Sequence, residues 1–268
     1  MIRLVITDVD GTLVQPDKSL APSTIAAANR LLDAGMPLGI VSARPTRGMV
    51  WLARDLGLEG LLAGFNGGIV MRPDGTVVER RLVPEAAART ALDLFARNKV
   101  SAWVVTAEEW LVLDRLGPHV DRERHTVRFH ERVVDSFEPY LALAGKVVGV
   151  TDDLPLLADL EAELQAMLGG TANARRSQSY FLDVTHRAAD KGNAVRTLAS
   201  HLGVALPDVA VLGDMPNDVP MFAVAGFAIA MGNAPLEVQA HAAAVTGRND
   251  ADGWAQAVDN LILPRLRD

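Results

Sequence analysis

The segment Asp8-Val9-Asp10-Gly11-Thr12 directly follows a short apolar run, Leu4 to Ile6. In an extended chain, residues two apart point the same way, so the Asp8 and Asp10 carboxylates can converge. Two such neighbours repel one another unless a cation joins them or one takes a proton. Both remedies serve catalysis. A magnesium-neutralised Asp8 can attack phosphorus as a nucleophile. A protonated Asp10 can supply a leaving group's proton and then activate water. Gly11 permits a sharp turn that frees backbone amides for phosphate oxygens. The plainer alternative is an ordinary Asp-Gly turn after an edge strand.

Three further segments carry complementary groups. Ser42-Ala43-Arg44 puts a hydroxyl at a strand end, suited to a phosphate oxygen or, alternatively, to capping a helix. Asp190-Lys191-Gly192-Asn193 puts an ammonium at a helix start, where the backbone dipole also favours an anion; the alternative is a solvated lysine. Gly213 to Asp218 places Asp214 and Asp218 four apart, on one face if a helix starts there. A hard cation such as magnesium takes oxygen ligands and keeps several waters, so two or three carboxylates suffice to hold it. The alternative is a capping aspartate beside a partner that favours the helix dipole. Taken together, the acidic residues bind a metal, and the metal with Lys191 neutralises phosphate.

Elements that alternate between strand and helix must position these groups. Apolar runs at Pro37–Val41, Leu61–Phe65, Val209–Leu212, Phe227–Ala230 and Ala242–Val245 read as strands, most of them ending in a polar or glycine-rich turn. Helical patterns fall between them: Ile25, Ala28 and Leu32 behind a capping Ser23; Val195, Leu198 and Leu202; and Trp254, Val258 and Leu261. Pro73–Gly75 reads as a hairpin turn. The fold class is α/β: a doubly wound, Rossmann-like parallel-sheet core with sites at strand carboxyl ends. The middle differs, with helices at 84–97 and 154–168, closely spaced strands at 101–106 and 110–114, a strand at 146–150 and another ending at Val184. This reads as an inserted α+β domain at 82–187, leaving 1–81 and 188–268 as the core.

Composition narrows the function. The 268 residues are 49% hydrophobic with a net charge of −7, which suits a packed core and gives no overall attraction to nucleic acid or anionic membrane. Cysteine is absent, which excludes disulfides, thiolate nucleophiles and cysteine-ligated metals. His119, His125 and His130 lack metal-ligand spacing and read as surface residues. The N-terminus has neither the basic start nor the long apolar run of a signal peptide, and no apolar stretch is long enough for a membrane span. The expectation is a cytoplasmic monomer or homodimer acting on a small phosphorylated metabolite, with no nucleic-acid or membrane partner.

DVDGT, SAR, DKGNAV, GDMPNDVPMF and AMGNAP, in that order, resemble the haloacid dehalogenase (HAD) superfamily of phosphatases. The likeness is to Cof-type members, whose type IIB cap lies between the second and third motifs. The resemblance spans essentially the whole chain. It implies a magnesium-dependent phosphatase that works through an aspartyl-phosphate, with Asp8 as nucleophile and Asp10 as general acid and base. It further implies magnesium held by Asp8, the Asp10 carbonyl and Asp214, with Asp218 supporting the metal waters. Phosphate falls to Ser42, Lys191, Gly11 and Asn217. Asn66, Gly67 and Asn233 resemble substrate-facing loop residues, and Arg44 and Arg47 lie where they can contact a substrate phosphate. Ala43 replaces the family's frequent glycine, and Pro216 is less usual in the fourth motif. Related mutases leave a phosphomutase or phosphotransferase reading open, and a non-catalytic phospho-ligand sensor is the third. In the cap, Arg122, Arg124, Arg128 and Arg132 form a basic stretch, read either as a solvated face or as a second anion site. Trp103 and Trp110 read as cap core.

Overall fold

The computed structural model describes residues 1–266; Arg267 and Asp268, the last two residues of the expected core segment, lie outside the described residues. The chain opens with β1 (Leu4–Thr7), α1 (Pro22–Asp33), β2 (Leu38–Val41), α2 (Val50–Asp55) and β3 (Leu62–Gly64). β4 (Ile69–Met71) and β5 (Val77–Arg80) form the hairpin expected around Pro73–Gly75, where Gly75 takes φ +92°. There follow α3 (Glu85–Arg97), β6 (Ser101–Val105), β7 (Trp110–Val112), α4 (Val120–Val127), β8 (Arg132–Val133), β9 (Lys146–Val150), α5 (Leu154–Leu168), β10 (Ala172–Gln178) and β11 (Phe181–His186). The last stretch holds α6 (Lys191–His201), β12 (Val209–Gly213), α7 (Val219–Phe222), β13 (Phe227–Ala230), α8 (Leu236–Gln239), β14 (Ala244–Val245) and α9 (Gly253–Ala257), which continues in helical turns to Leu266.

The first sheet has eight strands in the order β14-β13-β12-β1-β2-β3-β4-β5. β14 through β3 are parallel, and the β3–β4 and β4–β5 pairs are antiparallel. β1, β2 and β12 are buried along their whole length, which is why they read as continuous apolar runs without alternation. Leu31, Leu52, Trp254 and Val258 cover one face; Val195, Leu198, Met221 and Phe222 cover the other. From β1 the chain winds outward to β2 and β3, and later from β12 outward the opposite way. The loops after β1 and β12 therefore diverge and open a crevice at their carboxyl ends.

The second sheet runs β10-β11-β9-β6-β7-β8, antiparallel apart from the β7–β8 pair. One face packs on α3 and α5 through Phe95, Leu157, Leu160 and Leu164. The other carries Trp103, Val105, Val148 and Phe181, joined by Phe65 and Ile69 from the first sheet. Trp103 and Trp110 meet edge to face with centroids 5.1 Å apart inside this cluster, so they are core residues of the inserted segment.

Several local expectations change. Ser23 is not a cap: Ala21 is the N-cap of α1 with Pro22 in the first turn, and the Ser23 hydroxyl bonds Asp252 instead. α4, β8 and β10 were not foreseen. α4 buries only Val120 and Val127, one at each end, and β10 is a polar edge strand, so neither shows an apolar period. His119 is half-buried, stacked on Tyr180 at 4.0 Å and paired with Asp152 at 2.7 Å. Among the described residues no helix is long and apolar enough to cross a membrane.

Candidate active site

The two loops at the reversal bring distant carboxylates together. Asp8 follows β1, Asp214 follows β12, and Asp218 sits at the head of α7. Each offers an oxygen within 4.8 Å of the others, and all three are buried. Lys191, the first residue of α6, reaches into the same space. Its Nζ donates to Asp8 Oδ1 at 2.6 Å and to Asp218 Oδ1 at 2.5 Å. It is 2% exposed, so the solvated-lysine alternative does not hold. Asp190 fixes its position as the N-cap of α6, accepting from the Asn193 amide at 2.9 Å.

Asp218 shapes the loop rather than standing free. Its Oδ2 accepts from the amides of Asp214 at 2.8 Å and Met215 at 2.9 Å, which settles the turn after β12. Asp214 in turn accepts from the Thr12 hydroxyl at 3.1 Å and from Asn233 Nδ2 at 3.2 Å. Asn233 also donates to the Gly11 carbonyl at 2.9 Å. Gly11 takes φ +80°, and a Cβ there would overlap the Asp214 carboxylate. Glycine is required on both counts.

The electrostatics follow from this crowding. Burial, then the charges of Asp218 and Asp214, push the Asp8 carboxyl well above its ordinary value, although Lys191 pulls the other way. Burial, then Asp218, raises Asp214 to about 7, against the opposing pull of Lys191 and Thr12. Burial alone would lower Lys191, but Asp218 and Asp8 outweigh it and hold it protonated. Three buried carboxylates with one ammonium leave a surplus of negative charge, and hard oxygen donors suit a divalent cation. The donor set therefore fits a metal.

The Asp10 side chain lies apart from that cluster. Its carboxylate accepts from Arg44 Nε at 2.7 Å, Arg44 Nη2 at 2.8 Å and Lys18 Nζ at 2.7 Å. Burial raises its pKa, but the Arg44 and Lys18 contacts prevail and hold it well below the usual carboxylate range. In this arrangement two cations, Arg44 and Lys18, favour the ionised carboxylate. Arg44 is buried, and its Nη1 donates to the Thr126 carbonyl on α4 at 2.9 Å, which ties the two sheets' segments together.

A cleft of about 720 Å³ lies between the two segments, lined by Asp8, Asp10, Gly11, Ser42, Arg44, Asn66, Lys191, Asp214 and Asn217 among others. Ser42 is buried and its hydroxyl accepts from the Arg44 amide at 3.1 Å, so it shapes the loop and does not cap a helix. Asn66 takes φ 57° and accepts from Asn217 Nδ2 at 3.3 Å. Three expected residues are placed elsewhere. Gly67 faces α6, where a Cβ would come within 2.8 Å of Ala194 Cβ. Arg47 reaches across to the Glu108 carbonyl at 2.6 Å and lies over Phe129. Asn233 is occupied behind Asp214.

The basic stretch of the inserted segment does not converge. Arg124 pairs with Glu131 and Asp121, Arg132 with Glu109, and Arg128 lies over Trp51; of the four, Arg122 alone lines the cleft. Lys18, Thr12, Lys146 and Asp183 were missed as site residues. Thr12 was visible within DVDGT, and Lys146 and Asp183 had a signal in being charges inside apolar strands.

The sequence and the fold are similar to those of known proteins. The family model of the haloacid dehalogenase-like hydrolases matches residues 5–258, and the chain belongs to that family. Within it the chain is a phosphatase of the Cof type, a hydrolase of phosphate esters. It is 28% identical over 269 residues to an HMP-PP phosphatase of Yersinia pestis (strain Pestoides F), covering 99% of this chain and 98% of that one. A haloacid dehalogenase-like hydrolase from Bacteroides thetaiotaomicron is 28% identical, with a TM-score of 0.89 over 96% of this chain and 98% of its own. A HAD subclass IIB sugar phosphatase at 23% identity superposes with a TM-score of 0.82 over 95% and 97%, a likeness of fold.

Proposed function

We propose that the chain hydrolyses small-molecule phosphomonoesters through an aspartyl-phosphate on Asp8, with magnesium as the divalent ion. Residues 82–187 act as a cap over a catalytic core of 1–81 and 188–268. The observation that carries this reading is the meeting of Asp8, Asp214, Asp218 and Lys191 at the base of the cleft. Asp8 and Asp214, with the Asp10 carbonyl, would hold magnesium, and Asp218 would steady its surroundings. Bound there, magnesium supplies charge neutralisation for phosphate and carboxylates.

The chain's own residues do the rest. Lys191 engages Asp8 Oδ1, while Oδ2 makes no hydrogen bond to the described residues and is free to form the bond to phosphorus. The ester oxygen leaves with a proton from Asp10. A water then gives its proton to Asp10 and attacks phosphorus, and the aspartyl O–P bond breaks to restore the Asp8 carboxylate. For Asp10 to take and give that proton, Arg44 and Lys18 must turn from it onto the incoming phosphate. Ser42, Gly11 and Asn217 border the space the phosphate would occupy.

A phosphate-release screen over many metabolite esters, with and without magnesium, tests the reading. Magnesium-dependent release is expected, falling at least about 10³-fold in Asp8→Asn with an unchanged circular dichroism spectrum. Substantial turnover by Asp8→Asn would remove Asp8 as the nucleophile.

A further inference from the structure

The cap side of the cleft carries charge where its strands are otherwise apolar. β9 reads KVVGV and β11 reads FLDVTH. Lys146 and Asp183 are both more than nine-tenths buried, and Nζ donates to Oδ2 at 3.0 Å. The register pairs Lys146 with Thr185 and Asp183 with Val148. Their side chains therefore share the face that carries Phe181 and Val148, the face that meets the first sheet's segment. Both line the cleft.

Packing does not account for this pair. An apolar pair of similar volume is often as stabilising as a buried ion pair or more so, because the charges lose their hydration. Asp183 Oδ1 also has no hydrogen-bond partner, which costs about 1–3 kcal/mol in a buried group. A buried acceptor left open in a native structure calls for an explanation. Glu123 on α4 lines the same region and makes no ion pair among the described residues. This wall thus offers a lysine donor beside carboxylate acceptors.

The chemistry of the wall selects among ligands. At this wall a second phosphate or carboxylate would face the carboxylates of Asp183 and Glu123. A flat heterocycle would want a free aromatic face. Tyr180 is stacked on His119 and covered by Arg122 at 4.9 Å, and Phe181 is held edge-on by Trp103 and Tyr180. Hydroxyl groups fit, because each can donate to a carboxylate and accept from an ammonium.

We propose that Lys146 and Asp183 determine specificity by binding neighbouring hydroxyls on the alcohol portion of the substrate, which makes it a polyhydroxylated phosphomonoester. This rests on the phosphatase reading above. The test compares kcat/KM for hexose and pentose phosphates, their single-deoxy analogues and p-nitrophenyl phosphate. Loss of one particular hydroxyl should cost the wild type about tenfold or more, and the penalty should shrink to about twofold in Asp183→Asn and Lys146→Met. Circular dichroism checks folding; should either single variant fail to fold, the apolar double variant Lys146→Met with Asp183→Leu takes its place. A deoxy penalty that survives in the variants, or no penalty in the wild type, overturns the assignment. Release from p-nitrophenyl phosphate but from no hydroxylated ester overturns it as well. No release from any ester would sink the phosphatase reading and this proposal with it.

Discussion

Arg44 grips Asp10 at two points, Nε donating to Oδ2 at 2.7 Å and Nη2 to Oδ1 at 2.8 Å, while Nη1 holds the Thr126 carbonyl on α4. A planar guanidinium makes such a fork, and a lysine does not. Removing it should release the restraint that keeps Asp10 ionised. In Arg44→Ala the alkaline limb of the pH–rate profile should move to higher pH, since Asp10 must carry the proton it gives to the leaving group and its pKa rises, and kcat/KM should fall by about 10–100-fold. Arg44→Lys should restore little of it. A profile unchanged from wild type would show that the fork has no hold on the reaction.

Lys191 is the buried counter-charge to two carboxylates. Lys191→Met should destabilise the metal-free protein by about 3–5 kcal/mol, because Asp8 and Asp218 are left buried without it. Urea unfolding monitored by circular dichroism measures this. A loss below about 1 kcal/mol would mean that the carboxylates have taken up protons and no longer repel.

The raised Asp214 makes stability depend on pH with a definite sign. Its carboxyl titrates near 3.8 in the unfolded chain and at about 7 in the folded one. Between those values the folded state keeps a proton that the unfolded state has lost. Stability of the metal-free protein should therefore fall as pH rises from about 4 to 7. Magnesium requires the deprotonated form, so its stabilising effect should be larger at pH 8 than at pH 5. Thermal unfolding across that range, with and without magnesium, reads both trends, and a flat or rising metal-free curve would contradict the Asp214 environment.

Gly11 is fixed by φ +80° and by contact with Asp214. Gly11→Ala should cost about 1–3 kcal/mol of stability and weaken magnesium binding, measured by calorimetry. Gly75, also at positive φ but with nothing within 4 Å, is the control. Alanine there should carry only the backbone penalty and leave magnesium affinity unchanged.

The amino-acid sequence by itself determined the winding of the core. Uninterrupted apolar runs such as LVIT and VAVLG can be buried on both faces only in a covered parallel sheet, and a motif at a strand's end is local enough to read directly. Asp8, Gly11, Asp190, Asp214 and Asp218 were legible for that reason, since each sits beside the element that positions it. The hairpin at Pro73–Gly75 was legible through its turn chemistry. What tertiary structure decided is everything that depends on side chains meeting across the chain. Nothing in SAR says that Arg44 will hold Asp10 from 34 residues away, or that Arg47 will turn to the Glu108 carbonyl instead. Gly67 and Asn233 were placed by packing, one against Ala194 and the other behind Asp214. Lys146 and Asp183 lie 37 residues apart and become a pair only when β9 and β11 come into register. Local propensity specifies elements, but the partners of a buried charge are set by which elements are neighbours in space, and only the folded chain contains that information.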